Sequence, residues 1–568
     1  MSRLSRPSSL ASAAERLAWE RRYAQQRKDA LLTLILGGIS IAALLWYYAH
    51  QQILLYGDAV AHINIARRVL DNRSWLSPFF QLGTVWLPLP HILMLPFVWN
   101  KVLWMSGIAG SVASMAAYVL GALGIFRLVS ARAPHSAAYL ACGIYALNPN
   151  LLYMQTTAMN EPLYLAFFIW AIVYFDEWLR ETSKQRDDEP GSRPPERALE
   201  GCGIALAGGA ATRYDGWFFG AIMGVLVLGA FVRWWRKTPD AGRRRAMAKS
   251  LAEFLLLNAL VPVFWLAYNH RVSGRAMDWA NGPYSAKAIA ERTTARGAAP
   301  YPGKDHFVTA GLYFVKAAKL NVGAGHWGDL LFALAAAGTA IAIWRFGRYW
   351  IWLLLWIPLL FYALSIAYGS VPIFIPTWWP FSYYNVRYGL ELLPVFAVFT
   401  ALFGIFLAEL ARRPRKQAVV WSVLALIVAA SYLSCYANVP ITLKEAQVNA
   451  RGRTILEEAL ARFLVGLPPA TTLLMYQGEY VGALQQAGIP LRHAISEVNH
   501  PDWEWALLDP ARQADIIIAC KGDPVWMSAK EHHEELTELF AITVPGQTKC
   551  VIYRPTQPRG ESQKPPRQ

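Results

Sequence analysis

Residues 56–68 of this 568-residue chain read YGDAVAHINIARR, directly after a first apolar segment that runs from about residue 30 to residue 48. The acid in this stretch, Asp58, stands among a histidine, an asparagine and two arginines. A carboxylate at the rim of the hydrocarbon layer is costly to remove from water, so one that is kept there beside polar and basic side chains indicates a functional site at the membrane surface. Asp58 is therefore the first candidate for chemistry.

The composition around this stretch is that of a polytopic membrane protein. Hydrophobic residues make up 55% of the chain, and 24 Trp and 26 Tyr supply aromatic side chains for the membrane interfaces. The formal net charge is +16, but the basic residues cluster beside apolar segments, where they set topology and meet anionic lipid headgroups. We therefore expect membrane lipids as partners and no nucleic acid.

The apolar segments and the basic connectors between them predict the number of membrane crossings. If every basic connector is cytoplasmic together with the N-terminus, one apolar segment cannot cross. The weakest segment is 86–105, whose three prolines interrupt a helix, and we place it as an interfacial or re-entrant segment on the outer side. About eleven spans then remain. They lie near residues 30–50, 107–129, 135–153, 162–179, 199–212, 216–232, 251–269, 327–344, 350–368, 388–410 and 418–436.

The chain is expected to divide into a membrane part and a C-terminal domain. From residue 437 on, an amphipathic helical pattern alternates with short β-rich runs, which predicts a soluble α/β domain. We expect a multi-pass inner (plasma) membrane protein, and the same parity of crossings places this domain on the outer side of the membrane. The predicted parts are a basic cytoplasmic N-terminus (1–29), a transmembrane domain (30–436) with outer loops at 51–106 and 270–326, an extracytoplasmic α/β domain (437–556) and a disordered tail (557–568).

The five cysteines show no spacing typical of a metal site. Cys520 and Cys550 are the two that could pair in an oxidising compartment. Between a disulfide and two buried thiols, the sequence favours two buried thiols.

Asp58 and His62 lie one helical turn apart and share a face of the predicted helix. Asp58 has two interpretations of about equal weight when it is taken alone: an N-terminal helix cap, or an ionised carboxylate that orients or deprotonates an acceptor hydroxyl. The basic residues at the end of the same helix favour the second, because nearby cations keep a carboxylate charged. His62 is either a helix-surface residue or part of the substrate site.

Three further charged residues lie at the outer ends of apolar segments. Glu161, in the sequence Asn160-Glu161-Pro162, is either a helix-initiating acid or a member of the site. Arg213 and Asp215 lie between two closely spaced segments. They form either an internal ion pair or, through Arg213, a phosphate site.

Arg387 and Tyr388 close an aromatic segment, 378–388, at the head of a predicted span. Such a segment is an interfacial aromatic belt by default, but an arginine beside aromatic rings also suits a lipid-linked phosphate. The chain contains no Walker A, GxSxG, HExxH or DxD motif. We therefore do not expect a cytoplasmic nucleotide-dependent reaction, and we assign no metal ligands.

The order and sidedness of these motifs resemble the GT-C superfamily of membrane glycosyltransferases, particularly the bacterial protein O-mannosyltransferases and lipid A aminoarabinose transferases. The resemblance covers about residues 30 to 436, followed by the α/β domain. It is carried by Gly57-Asp58, the helix that follows to Asp71, residues 81–91 ending at His91, Asn148-Pro149, Asn160-Glu161-Pro162, residues 212–216, Arg387-Tyr388 and Leu393-Pro394.

This resemblance implies an inverting transfer of a sugar from a polyprenyl-phosphate carrier to an acceptor hydroxyl on the outer face. It places the base, or acceptor-orienting group, on Asp58 and a second acid on Glu161. It also assigns neutralisation of the carrier phosphate to Arg387 or Arg213. We add His62, His91, Asp215 and Tyr388 as candidate substrate contacts. Many relatives carry a second acid next to the first, which Asp58 lacks. This departure leaves open whether the acceptor is a lipid, a glycan or a protein, and whether a divalent metal takes part.

Two other functions are compatible with polar residues that all lie on the outer side of the membrane. A transporter or flippase of lipid-linked saccharides commonly shows internal repeats and charges at the middle of the membrane. This chain shows no such repeat, and its acids lie at the outer rim. A ligase that uses a diphosphate carrier would differ from the transferase mainly in its donor.

Overall fold

The computed structural model describes residues 13–73, 78–183, 194–293 and 299–557. The first half of the chain is a succession of helices joined by short connections, as its long apolar segments predict. In order these helices are α1 (Ala13–Ala49), α2 (Gly57–Leu70), α3 (Leu89–Val98), α4 (Lys101–Ser106), α5 (Ile108–Ser130), α6 (His135–Ala146), α7 (Pro149–Met154), α8 (Glu161–Ser183), α9 (Pro195–Ala210), α10 (Asp215–Lys237) and α11 (Ala241–Ser273), with a 3₁₀ turn at Pro78–Leu82.

The next part of the chain continues the helical membrane domain. Its helices are α12 (Asp278–Asn281), α13 (Ala286–Thr293), α14 (Phe307–Val322), α15 (His326–Trp344), α16 (Phe346–Tyr349), α17 (Ile357–Tyr368), α18 (Leu393–Ala411) and α19 (Pro414–Ala437). Two 3₁₀ segments, Trp350–Trp356 and Val386–Leu392, lead into α17 and α18. The second of them brings Arg387 and Tyr388 into the protein interior.

The described residues contain nine helical stretches that are long and apolar enough to cross a membrane, which confirms a multi-pass membrane protein. Two segments predicted to span are not among them. The segment 135–153 is broken into α6 and α7, because Asn148 caps α7 and Pro149 occupies its first turn. The segment 199–212 forms α9, which is 16 residues long.

Two outer segments differ in structure from each other. Residues 86–105 form the short helices α3 and α4, interrupted at Asn100, and α3 is about 15 Å long, half of a hydrocarbon layer. This agrees with a segment that does not span. The segment 270–326, predicted as a loop, instead contains the largely apolar helix α14, which packs against α17 and the Val386–Leu392 segment. Its apolar face is buried against these elements, which the sequence alone did not reveal.

The C-terminal part is the predicted α/β domain. A 25-residue helix, α20 (Ile441–Val465), connects it to the last membrane helix. The elements of the domain are β1 (Leu473–Met475), α21 (Gln477–Ala487), β2 (Ala494–Ile495), α22 (Asp502–Leu508), α23 (Pro510–Gln513), β3 (Ile516–Cys520), α24 (Pro524–Glu531), β4 (Leu536–Ile542) and β5 (Cys550–Pro555). The five strands form one sheet in the order β2-β1-β3-β5-β4, in which β1 runs parallel to β2 and β3, and β5 is antiparallel to β3 and β4.

Cys520 and Cys550 form a disulfide, so the expectation of two buried thiols was wrong. The antiparallel register of β3 and β5 places these two residues directly opposite each other. Sequence alone does not give the register of two strands whose cysteines are 30 residues apart. The other three cysteines are buried and unpaired. Residues 1–12 of the predicted N-terminal part, and the predicted tail from residue 558 on, lie outside the described residues.

Candidate active site

A cavity of about 700 Å³ lies where the first outer segment, the beginning of α8, the α9–α10 turn, α12 and α13, the end of α17 and the Val386–Leu392 segment meet. Large aromatic side chains form much of its wall, among them Trp86, Trp217, Trp279, Phe361 and Tyr368. Seven residues singled out from the sequence line it: Asp58, His62, Glu161, Arg213, Asp215, Arg387 and Tyr388. His91 is not in this lining, although it contacts His62.

Asp58 is the accessible acid of the cavity. Its side chain is 43% exposed, and its Oδ2 accepts a hydrogen bond of 2.7 Å from Nη2 of Arg387, a residue that is almost fully buried. Among the described residues no other side chain bonds to this carboxylate. Asp58 therefore presents one carboxylate oxygen to the cavity while the buried guanidinium holds the other.

The helix-cap interpretation of Asp58 does not hold. Helix α2 begins at Gly57, and the residue at its N-cap position is Tyr56. Asp58 lies within the first turn, where a carboxylate still interacts favourably with the helix dipole, but its side chain turns to Arg387.

Glu161 is buried, with 1% of its side chain exposed, and it starts α8. Its Oε1 accepts from Nε of Arg387 at 3.1 Å and from Nη1 of Arg213 at 3.3 Å. Glu161 thus bridges the two arginines. It also begins α8, as one of its two sequence interpretations predicts, and its membership of a substrate site stays a prediction. Its Oε2 is buried and has no hydrogen-bond partner among the described residues.

Arg213 forms the second charged centre, through Asp215, Glu391 and the hydroxyl of Tyr362. Its Nε lies 3.1 Å from Oδ2 of Asp215 and 3.3 Å from Oε1 of Glu391. Its Nη2 donates to the Tyr362 hydroxyl at 2.7 Å, and that hydroxyl donates to Glu391 at 2.8 Å. The predicted ion pair of Arg213 and Asp215 is therefore present, as part of a larger network.

Aromatic rings hold the two guanidinium groups in place. Tyr388 lies between them, with its ring centre 5.0 Å from the guanidinium carbon of Arg213 and 4.9 Å from that of Arg387. Tyr56 covers Arg387 at 5.2 Å. Such cation–π contacts stabilise a guanidinium that has lost its water, and they restrict its orientation.

Two buried acids of this site were missed in the sequence, Glu391 and Glu445. Glu391 lies inside an apolar span, and a lone acid in such a run was a signal that could have been used. Glu445 comes from α20, whose many charges conceal it. Together with these two, the site contains five carboxylates around two arginines; we call it the acid–arginine cluster, consisting of Asp58, Glu161, Arg213, Asp215, Arg387, Glu391 and Glu445.

His62 and His91 form a buried polar chain beside the cluster. Nδ2 of Asn160 donates to Nε2 of His62 at 3.1 Å, so Nδ1 of His62 carries the proton and donates to Nε2 of His91 at 2.9 Å. Burial lowers the pKa of His62 to about 4, and it lowers the pKa of His91 well below its ordinary value. Both rings are therefore neutral near pH 7.

Among the described residues, the cavity lining contains one further cation, Lys287 on α13. Its side chain is exposed and lines the cavity, and it forms no ion pair within the described ranges. By contrast, each side-chain nitrogen of Arg387 faces a carboxylate. The described residues contain no group of three or more His, Cys, Asp or Glu side chains arranged to hold a metal ion.

No protein-family model and no curated protein matches this chain. Its fold does match solved structures. The crystal structure of ArnT from Cupriavidus metallidurans bound to undecaprenyl phosphate superposes with a TM-score of 0.55 at 12% identity, covering 92% of this chain and 97% of ArnT. ArnT in the apo state gives 0.50 at 12% identity, covering 93% and 98%. The predicted GT-C type of membrane fold with a C-terminal α/β domain is confirmed.

Proposed function

We propose that this chain, which has the GT-C membrane fold, is an inverting glycosyltransferase that moves a sugar from a polyprenyl-phosphate carrier to an acceptor hydroxyl on the outer face of the membrane. The observation that carries the proposal is the partly exposed carboxylate of Asp58, held by a buried arginine at an aromatic cavity. The shared fold adds support, because ArnT, whose fold matches that of this chain, was crystallised with undecaprenyl phosphate bound.

In the proposed reaction, Asp58 takes the proton of the acceptor hydroxyl while the hydroxyl oxygen attacks the anomeric carbon of the donor sugar. The bond between that carbon and the phosphate oxygen breaks, and its electron pair remains on the phosphate. Because this is a single displacement, the configuration at the anomeric carbon inverts. The exposed oxygen of Asp58 has room for the acceptor, whereas the other acids of the cluster are buried.

The departing phosphate needs a cation, and the structure changes which residue we assign to that role. Arg387 and Arg213 were the candidates from the sequence, but both are occupied by carboxylates of the cluster. Their role in the proposal is to keep Asp58 charged and fixed. Lys287, at the cavity wall and unpaired among the described residues, is the cation that can approach the carrier phosphate.

The test is a transfer assay with purified full-length protein, a polyprenyl-phosphate donor carrying a radiolabelled sugar, and lipid, glycan and peptide acceptors in parallel. We expect labelled product with inverted anomeric configuration. Asp58→Asn should lower the rate by at least about 100-fold, because the amide accepts no proton. The matched control is Asp305→Asn, a similar change at an exposed position outside the cavity lining.

The same preparation in sealed vesicles separates the transferase from a transporter. Movement of the labelled donor across the bilayer without any product would overturn the proposal in favour of a flippase. Acceptance of a diphosphate carrier but no monophosphate carrier would instead indicate a ligase. Running the assay with EDTA, and then with added Mg²⁺ or Mn²⁺, determines whether transfer needs a divalent metal.

A further inference from the structure

We propose that Glu445, on helix α20 between the last membrane helix and the α/β domain, is a positioning residue that fixes Arg387 in the orientation which presents Asp58 to the cavity. The inference rests on the proposed function for its kinetic test. It assigns part of the catalytic geometry to a helix outside the apolar core of the membrane domain.

Glu445 accepts two hydrogen bonds from Arg387, one from its side chain and one from its backbone. Its Oε1 accepts from Nη1 of Arg387 at 2.8 Å, and its Oε2 accepts from the backbone N–H of the same residue at 3.1 Å. Glu445 is fully buried, so water does not compete for these bonds. One carboxylate therefore fixes both the main chain and the end of the long Arg387 side chain.

The remaining contacts of Arg387 then follow from its shape. A guanidinium is planar and rigid, so fixing two of its nitrogens determines where the third one points. Glu445 holds Nη1 and Glu161 holds Nε, while Nη2 is directed to Oδ2 of Asp58. The position of Asp58 in the cavity thus depends on Glu445 through Arg387.

The same helix also holds the chain just before Asp58. The Tyr56 hydroxyl donates to the backbone carbonyl of Thr442 at 2.8 Å, and Nη2 of Arg453 donates to the carbonyls of Leu54 and Leu55 at 3.0 and 2.9 Å. Thr442, Glu445 and Arg453 are spaced so that they share one face of α20. Both partners of the Asp58–Arg387 pair are therefore attached to one rigid element.

The split between kcat and KM separates positioning from a merely structural contact. A misplaced Asp58 slows the chemical step while the donor is still bound, so kcat falls and the donor KM hardly changes. A change that only loosens the fold instead lowers the thermal midpoint and the amount of active protein.

The experiment compares Glu445→Gln with Glu458→Gln in the full-length protein. Glu458 is an exposed acid on the same helix, so it is a matched control. We expect Glu445→Gln to lower kcat about 10- to 100-fold, with the donor KM changed less than about threefold. Glu458→Gln should behave as wild type. Wild-type kcat in Glu445→Gln would overturn the inference.

A second variant keeps the test informative if Glu445→Gln does not fold. Glu445→Asp retains the charge but is one methylene too short to reach both bonding points. It should lower kcat while leaving the donor KM close to that of the wild type. Unchanged kcat in Glu445→Asp would count against a positioning role.

A readout without catalysis separates this inference from the proposed function. Infrared difference spectra, with Asp58→Asn to identify the band, show the carboxylate stretch of Asp58, whose position depends on its hydrogen bond from Arg387. If the wild type transfers no sugar to any acceptor, the proposed function fails, but a displaced Asp58 band in Glu445→Gln still supports the role of Glu445. If transfer is present and the Asp58 band is unchanged in Glu445→Gln, only the inference about Glu445 fails.

Discussion

Asp58 and Arg387 are 329 residues apart in the chain, yet their side chains are joined by a hydrogen bond of 2.7 Å at the cavity. The two residues differ in exposure, and this difference divides their tasks. The exposed carboxylate can meet a substrate, whereas the buried guanidinium, held by three carboxylates and two tyrosine rings, serves as a fixed support.

Lys287 is the residue whose substitution should weaken donor binding with the least disturbance of the fold. We expect Lys287→Gln to raise the donor KM about 5- to 10-fold, because a charge-assisted contact to phosphate contributes roughly 1 kcal/mol at a partly solvated site. The matched control is Lys304→Gln, a second exposed lysine of the same outer segment that does not line the cavity. Equal KM values for the two variants would remove Lys287 from the phosphate site.

His62 should make stability depend on pH. Its pKa is lowered by burial to about 4 in the folded state, against 6.5 as the ordinary value, so the unfolded chain binds the proton more readily between these values. The free energy of unfolding is then highest above about pH 6.5, and it falls by roughly 3 kcal/mol as the pH approaches 4. The measurement is the midpoint of thermal unfolding in detergent between pH 7.5 and 4.5.

His62→Gln should make this decline shallower, because glutamine does not titrate, whereas His91, whose pKa is also lowered by burial, still does. His306→Gln, at an exposed position, is the control and should leave the decline unchanged. The same slope in His62→Gln as in the wild type would show that other groups cause the loss of stability.

At the scale of elements, the 3₁₀ segment Val386–Leu392 must lie close to α14 for Arg387 to reach the cluster. Gly389 permits this approach, since a Cβ at that position would lie 2.5 Å from the backbone of Ala317 on α14. The glycine is required here by the close contact of two backbones. Helix α14, in the segment predicted as a loop, is therefore one wall that supports the site.

We expect Gly389→Ala to displace the 3₁₀ segment and to lower transfer activity at least about 10-fold, because overpacking of this kind costs about 1–3 kcal/mol. The control is Gly143→Ala on α6, where an added Cβ meets nothing within 4 Å. The measurements are transfer rate and thermal midpoint for both variants. Wild-type activity in Gly389→Ala would mean that the segment adapts without moving Arg387.

At the scale of the whole molecule, the α/β domain is joined to the membrane domain by more than the chain connection. Helix α20 packs against α7 and the Val386–Leu392 segment on one side and against α21 of the domain on the other. Asn64 on α2 also bonds to Gln485 on α21. The domain therefore stabilises the helix that carries Glu445.

The disulfide supplies a prediction about this domain and its location. Reduction, or replacement of Cys520 and Cys550 by serine, should lower its free energy of unfolding by about 3 kcal/mol, because the bond restricts the unfolded chain. We expect reductant to lower the unfolding midpoint of the wild type and to leave that of the double variant unchanged.

Thiol labelling of the unfolded protein, before and after reduction, counts the two bonded cysteines. Protein taken directly from cells should show both oxidised, as an extracytoplasmic location requires. Two free thiols at these positions would contradict that location.

The sequence by itself determined the class of fold and most members of the candidate site. Long apolar segments must form helices in a membrane, because every backbone polar group has to be satisfied within its own segment. Charges at the ends of such segments are costly, which is why Asp58, Glu161, Arg213 and Arg387 could be recognised without a structure. The fold class and the unusual charges of a membrane protein can therefore be recognised from local sequence patterns.

Only the tertiary structure decided how these charges are paired, and which residues complete the site. Glu445 lies in a helix with many charges, and nothing local distinguishes it from its exposed neighbour Glu458. The role of Arg387 changed for the same reason, because its three carboxylate partners come from three distant parts of the chain. Which charges meet, and in which register two strands bring Cys520 to Cys550, depends on packing between elements that are remote in sequence, and no local pattern encodes that packing.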